Sequence, residues 1–302
     1  VSGASTEAGP VVTGAAEASL DSALVILAAP RSGSTLLFET LSRLPGVVTI
    51  GGESHGVIEG LAALRPGAGD RASNRLLADD ATPAIRGALR RLFAERLKDR
   101  EGQPIRAGQF VFLEKTPKNA LRVPFLDRVL PNARYLYLAR EPRPNIASML
   151  EAWSSGRFVT YPRLEGWDGP PWSLLLPPGW AALSGRPVAE ICGWQWTEAN
   201  RTIMDDLAPL PADRWIACDY TDLVRHPERT IRRIATFAGL AMDDQALAHI
   251  RGGLPHSRYT QSAPDPQKWR RHEADIEPMM APGHAFGITR TWRRARRLTA
   301  TP

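Results

Sequence analysis

The chain has 302 residues, 43% of them apolar, enough for a sizeable core in one large domain or two small ones. Its net charge of +6 and pI of about 9.7 favour an anionic ligand, and the lack of any helix-turn-helix or RNA-binding pattern argues against nucleic acid. Cys192 and Cys218 are the only cysteines and lack metal-ligand spacing, which excludes a disulfide framework; no apolar run reaches the length of a membrane span.

Residues 1–20 are small and polar, without a basic start or a signal-like apolar core, and read as a mobile tail of a cytoplasmic protein. The apolar run 24–29 predicts a buried strand, and 36–43 predicts an amphipathic helix. Between them lies Pro30-Arg31-Ser32-Gly33-Ser34-Thr35. A strand closed by small residues and a helix start is how an α/β protein builds an anion cradle. The N–H groups of the first helical turn have no intrahelical partner, and the helix dipole adds positive charge. Gly33 lets a phosphate approach the backbone, and Ser34 and Thr35 add hydroxyl donors. The loop is not a Walker A sequence, because Arg31 supplies its only charge and no Lys precedes the Ser/Thr. A guanidinium suits a bidentate grip on phosphate or sulfate.

Further along the chain, strands are predicted at 47–50, 110–114, 134–139 and 215–219. Helices are predicted at 84–99, 119–129, 142–152, 188–207 and 227–238. The segment 84–99 sets Ile85, Leu89, Leu92, Phe93 and Leu97 on one face. Strands alternating with helices predict a parallel sheet flanked by helices in a single domain over 21–302. Arg140 ends the strand 134–139 and Ser148 lies two turns into the next helix, so both can meet one anion at the carboxyl edge of the sheet. Residues 153–187 hold Trp153, Trp167, Trp172 and Trp180 among Gly and Pro without a period, which predicts a lid or substrate wall. The run Arg290-Thr291-Trp292-Arg293-Arg294-Ala295-Arg296-Arg297 adds a local basic cluster.

Taken together, the loop Pro30–Leu36 and the Arg140/Ser148 pair resemble the sulfotransferases that use 3'-phosphoadenosine 5'-phosphosulfate (PAPS). Three more segments fall in the family's order: Gly52-Glu53-Ser54-His55, Glu114-Lys115-Thr116-Pro117-Lys118-Asn119, and Asp219-Tyr220-Thr221-Asp222-Leu223. The pattern is closer to the bacterial and protein-tyrosine enzymes than to the cytosolic steroid and phenol enzymes, which generally have Lys where Arg31 stands. The resemblance implies a P-loop NTPase-like three-layer sandwich with PAPS as donor, PAP as product and no metal.

Arg31, Ser32, Gly33, Ser34, Thr35 and Leu36 would then hold the 5'-phosphosulfate, and Arg140 with Ser148 the 3'-phosphate. Tyr220 would lie near the adenine, and Lys115 beside the transferred group. Lys268 and Arg270 would close over the phosphates, and Ser257 would donate to the sulfuryl group. Glu53 takes the place of the family's carboxylate base, with His55 as the rival base, since an imidazole titrates near neutrality. The implied acceptor is a hydroxyl or phenol of a small molecule, lipid or natural product, with a peptide tyrosine as the alternative. A P-loop kinase and a non-enzymatic anion-binding module are the competing classes. The oligomeric state is not readable.

Overall fold

A computed structural model describes residues 20–67, 71–255, 258–259, 265 and 267–300. The first elements are β1 (Ala23–Leu27), α1 (Ser34–Leu41), β2 (Val47–Val48), α2 (His55–Ile58) and α3 (Pro83–Ala94). They are followed by β3 (Val111–Lys115), α4 (Val123–Val129), β4 (Arg134–Ala139) and α5 (Pro142–Ser154). Next come β5 (Val159–Tyr161), β6 (Trp172–Ser173), α6 (Val188–Leu207), β7 (Trp215–Asp219), α7 (Tyr220–Arg225) and α8 (Pro227–Ala238). The last helices are α9 (Asp244–Arg251), α10 (Glu273–Ile276) and α11 (Ile288–Thr299).

Five parallel strands pair in the order β2-β3-β1-β4-β7, so β1 is central and the β1–loop–α1 turn opens at the carboxyl edge. Successive strand side chains face opposite sides, and the core divides accordingly. Val25, Leu27, Phe112, Tyr135 and Tyr137 pack with α3, α4, α5, α6 and α11. Leu24, Ile26, Leu113, Leu136 and Leu138 pack with α1, α8 and α9. A helical layer on each face explains why β1 is apolar at every position rather than alternating. Burying each of its larger side chains contributes roughly 1.5–3 kcal/mol, so a single Val25→Asp change would cost the fold its centre. The expected three-layer α/β arrangement, a central parallel sheet flanked by helices, is what the chain adopts.

Several elements differ from the sequence expectation: the strand expected at 47–50 spans Val47–Val48, and the helix expected at 84–99 ends at Ala94. The helix predicted over 119–129 is a 3₁₀ turn, Pro117–Leu121, followed by α4; Arg122 between them takes a φ of −134°, outside the helical region. Pro124 then starts the new helix, where its missing N–H costs nothing. Residues 153–187 carry the antiparallel β5–β6 pair and a buried cluster of rings. Trp172 lies 5.4 Å from Trp153, 4.9 Å from Trp167 and 5.9 Å from Trp180. These tryptophans pack on one another, while Phe158 and Tyr161 of this segment reach Arg31 and Lys118. Residues 1–19 of the expected tail lie outside the described residues; Leu20, read as its last residue, is buried in the core.

Candidate active site

The β1–α1 loop is built to a fixed shape. Arg31 has φ of 64° and Gly33 φ of 93°, both left-handed, and a Cβ on Gly33 would lie 2.4 Å from the Tyr220 ring. Only glycine accepts both constraints. Asn145, fully buried on α5, clamps the loop from behind. It accepts from Ser32 Oγ at 2.7 Å and donates to the Pro30 carbonyl at 2.8 Å. The first turn of α1 therefore presents the N–H groups of Ser34, Thr35 and Leu36 at a fixed place on the sheet edge. Ser148 is half-buried three residues past Asn145 on α5, on the same side of that helix.

Two guanidiniums meet at this loop. Arg140 donates to the Arg31 carbonyl at 2.7 Å and stacks 4.4 Å from the Tyr220 ring centre. Arg31 lies 4.7 Å from the Phe158 ring and donates to the Tyr259 carbonyl at 2.9 Å. The Nε of each arginine is buried without a partner. Burial, and then the Arg140 charge, lower the pKa of Arg31, and burial lowers that of Arg140. A buried donor left unpaired costs about 1–3 kcal/mol. An anion seated in the loop would satisfy both.

The Arg31 side of the loop adjoins a second charged group at the end of β3. Lys115 Nζ lies 2.5 Å from Glu53 Oε1 and 3.2 Å from Thr35 Oγ1, with the Phe38 and Tyr259 rings within 6 Å. His55 Nδ1 is 3.4 Å from the other Glu53 oxygen. Burial pushes the Glu53 pKa up, but the His55 hydrogen bond and the Lys115 ammonium outweigh it and hold the carboxyl at about 2. Glu53 is therefore ionised at neutral pH, and the same contacts make it a weaker base than a free carboxylate.

Tyr259, Glu59, Asn74 and Arg122 belong to none of the sequence motifs. Tyr259 and Phe158, 6.3 Å apart, roof Arg31 and Lys115. A buried network lies beyond Glu53. Lys118 (2.7 Å) and Arg122 (2.5 Å) both bind Glu59, while Tyr161 Oη accepts from Asn74 (2.6 Å) and Lys118 (3.1 Å). It ties α2 and the β5 segment to the residues after β3. Glu114, next to Lys115, is wholly buried.

Of the remaining expected positions, Lys268 pairs at 2.5 Å with Glu151 on α5, a carboxylate whose charge also acts on Arg31. Arg270 is exposed and donates to Gln267 Oε1 at 2.6 Å. Ser257 lies outside the described residues. Among the described residues no group of His, Cys, Asp or Glu could hold a metal ion, and no helix is long and apolar enough to cross a membrane.

Residues 23–168 and 178–244 match the family model described as "Sulfotransferase family". The chain is 24% identical over 222 residues to protein-tyrosine sulfotransferase 2 of Gallus gallus, covering 73% of this chain and 52% of that protein. It is likewise 24% identical over 241 residues to the protein-tyrosine sulfotransferase of Drosophila melanogaster, covering 78% and 42%. The chain thus spans about half the length of the curated relatives it matches. Among solved structures, the sulfotransferase domain of the Synechococcus PCC 7002 olefin synthase aligns with a TM-score of 0.48 at 21% identity. That alignment covers 95% of this chain and 98% of the other.

Proposed function

Because the chain belongs to the sulfotransferase family, we propose that it moves a sulfuryl group from PAPS to a hydroxyl or phenol. The acceptor would be a small molecule, lipid or natural product. The observation that carries the donor assignment is the pair of adjacent buried guanidiniums, Arg31 and Arg140, each with an unpartnered Nε. Two such donors, one in the β1–α1 loop and one after β4, suit a ligand with two separated anionic groups, which is what a 3',5'-substituted adenosine offers.

In the transfer, the acceptor oxygen forms a bond to sulfur while the bond from sulfur to the 5'-phosphate oxygen breaks, its electron pair staying on the phosphate. The acceptor proton passes to Glu53. Arg31, the α1 N–H groups and Lys115 stabilise the charge gathering on the departing oxygen, the kind of preorganised field that is commonly the largest catalytic contribution. Arg140 and Ser148 hold the 3'-phosphate, and Tyr220, stacked against Arg140 beside Gly33, offers its ring to the base. Glu53 is favoured over His55 as base because it is the group in contact with Lys115, where the reacting oxygen must lie. The names of the relatives keep peptide tyrosine as the second acceptor reading.

Calorimetry with adenosine 3',5'-bisphosphate and with ATP tests the donor assignment. The bisphosphate is expected to bind at least about a hundredfold more tightly, without magnesium; a preference for ATP overturns it. Mass spectrometry of a panel of hydroxylated acceptors, read for one added sulfate, then separates small molecules from tyrosine peptides.

A further inference from the structure

Two consecutive residues of one loop reach two consecutive residues of one strand. Glu53 pairs with Lys115, and Ser54 Oγ donates to Glu114 Oε1. Neighbouring residues on β3 point to opposite faces, so the first contact lies at the catalytic edge and the second inside the protein. Ser54, Glu114 and Asn119 have no exposed surface and Thr116 almost none. The Ser54 N–H donates to Thr116 Oγ1 at 2.7 Å, and Asn119 Nδ2 donates to the same Glu114 oxygen at 2.9 Å. The Ser54 carbonyl then accepts from the N–H groups of Val57 and Ile58 at 2.9 Å, opening α2.

The inner contact matters because the outer one must let go. When Glu53 takes the acceptor proton it loses the charge that attracts Lys115, and Lys115 turns part of its hydrogen bonding to the leaving oxygen, so the pair loosens as the reaction proceeds. An ion pair that loosens during the reaction cannot also fix the position of the base. We propose that Ser54 and Glu114 are positioning residues: their buried hydrogen bond anchors the 52–55 backbone to β3, so that Glu53 keeps its place when its bond to Lys115 is exchanged for the acceptor. This rests on the reading of Glu53 as the base. Burial raises the pKa of Glu114, against the hydrogen bonds of Ser54, Thr116 and Asn119 and the Lys115 charge, which lower it.

The test follows turnover with PAPS as donor and 4-nitrophenol as acceptor probe, bisphosphate affinity by calorimetry, and amide exchange by mass spectrometry. Removing one hydroxyl in Ser54→Ala should lower kcat by about tenfold to a hundredfold, the usual consequence of a displaced catalytic group. Bisphosphate affinity should stay within about twofold, because the change lies outside the cradle. Glu114→Gln keeps the accepting oxygen and should retain at least about a third of the rate, whereas Glu114→Ala should behave like Ser54→Ala. In an Glu53→Gln background, Ser54→Ala should add less than about twofold, since it acts only through Glu53. A role confined to stability would lower the rate in both backgrounds.

Amide exchange needs no acceptor, so it separates failure of this inference from failure of the sulfotransferase reading. Ser54→Ala should speed exchange across 51–58 and leave the rest of the sheet unchanged. Unchanged exchange in that segment, acceleration throughout the molecule, or full turnover in Ser54→Ala each overturns the proposal.

Discussion

The two ends of the catalytic edge treat positive charge in opposite ways. Around the β1–α1 loop, Arg31 and Arg140 lie against each other, against rings and against backbone carbonyls, and no carboxylate contacts either among the described residues. A few residues along the edge, Lys115, Lys118 and Arg122 each meet Glu53 or Glu59 within 2.7 Å. Cations with carboxylate partners build the fold, whereas two buried guanidiniums that no carboxylate contacts among the described residues repel each other in the empty protein and suit an anionic ligand. The contrast predicts mutations of opposite sign at the two ends.

The largest effect belongs to the paired end. Glu59→Gln removes the one carboxylate shared by Lys118 and Arg122 and leaves two buried cations facing each other. Breaking a buried pair from one side typically costs about 3–5 kcal/mol. Because the same network joins α2 and Tyr161 to α4's approach, the denaturant midpoint should fall sharply while the folded fraction still binds bisphosphate normally. A midpoint close to that of the unmodified protein would show that water or a shifted proton already neutralises this network, and the contrast would lose its structural half.

At the unpaired end the signs reverse. Arg140→Ala relieves repulsion with Arg31 and removes an orphaned donor, so thermal stability should hold or rise. Hydrogen bonds to a charged group are worth about 1.5–3 kcal/mol, which corresponds to a loss of bisphosphate affinity of about ten- to 150-fold. Gly33→Ala sharpens the comparison within the cradle itself. It demands a left-handed alanine, a cost of about 1–2 kcal/mol, and it drives a methyl into the Tyr220 ring 2.4 Å away. Both stability and affinity should therefore fall together, unlike in Arg140→Ala. Melting curves recorded with and without bisphosphate distinguish the two outcomes.

The same contrast governs what could be read from the sequence. The cradle is local: a strand, a turn and a helix start within fifteen residues, legible because the turn chemistry and the apolar run are contiguous. The strands 134–139 and 215–219 and the helices 188–207 and 227–238 coincide with observed elements for the same reason. The paired end is assembled from Glu59, Asn74, Lys118, Arg122 and Tyr161, of which only Lys118 and Arg122 are close in sequence. Tyr161 lies inside the segment expected to be an irregular wall, and its place depends on the β5–β6 pairing and the tryptophan cluster beneath it. The helices α9 and α11 had a signal that went unused. In α11, Ile288, Thr291 and Ala295 share the buried face at helical spacing, under an arginine run that reads first as a charge cluster.

The pH-dependent effect lies where the two ends touch, at Glu53. Its carboxyl is held at about 2 in the folded protein, against about 4.3 in an unfolded chain. Between those values the unfolded state binds the proton that the folded state refuses, so stability rises with pH across that window. The contribution is complete above about pH 5 and declines as pH falls through 2. Glu53→Gln lacks it at every pH, so the difference in melting temperature between the two proteins should be greatest near neutrality and narrow steadily on acidification toward pH of about 3. Glu228 is also held at about 2, by Arg251 and Arg232, but on the surface, where salt screens it. Repeating the series at about 1 M salt should erase the Glu228 part from both proteins and leave the Glu53 difference standing. If salt removes that difference as well, solvent reaches the Lys115–Glu53 pair more freely than its burial allows. The working carboxylate would then belong with the surface ion pairs rather than with the buried ones.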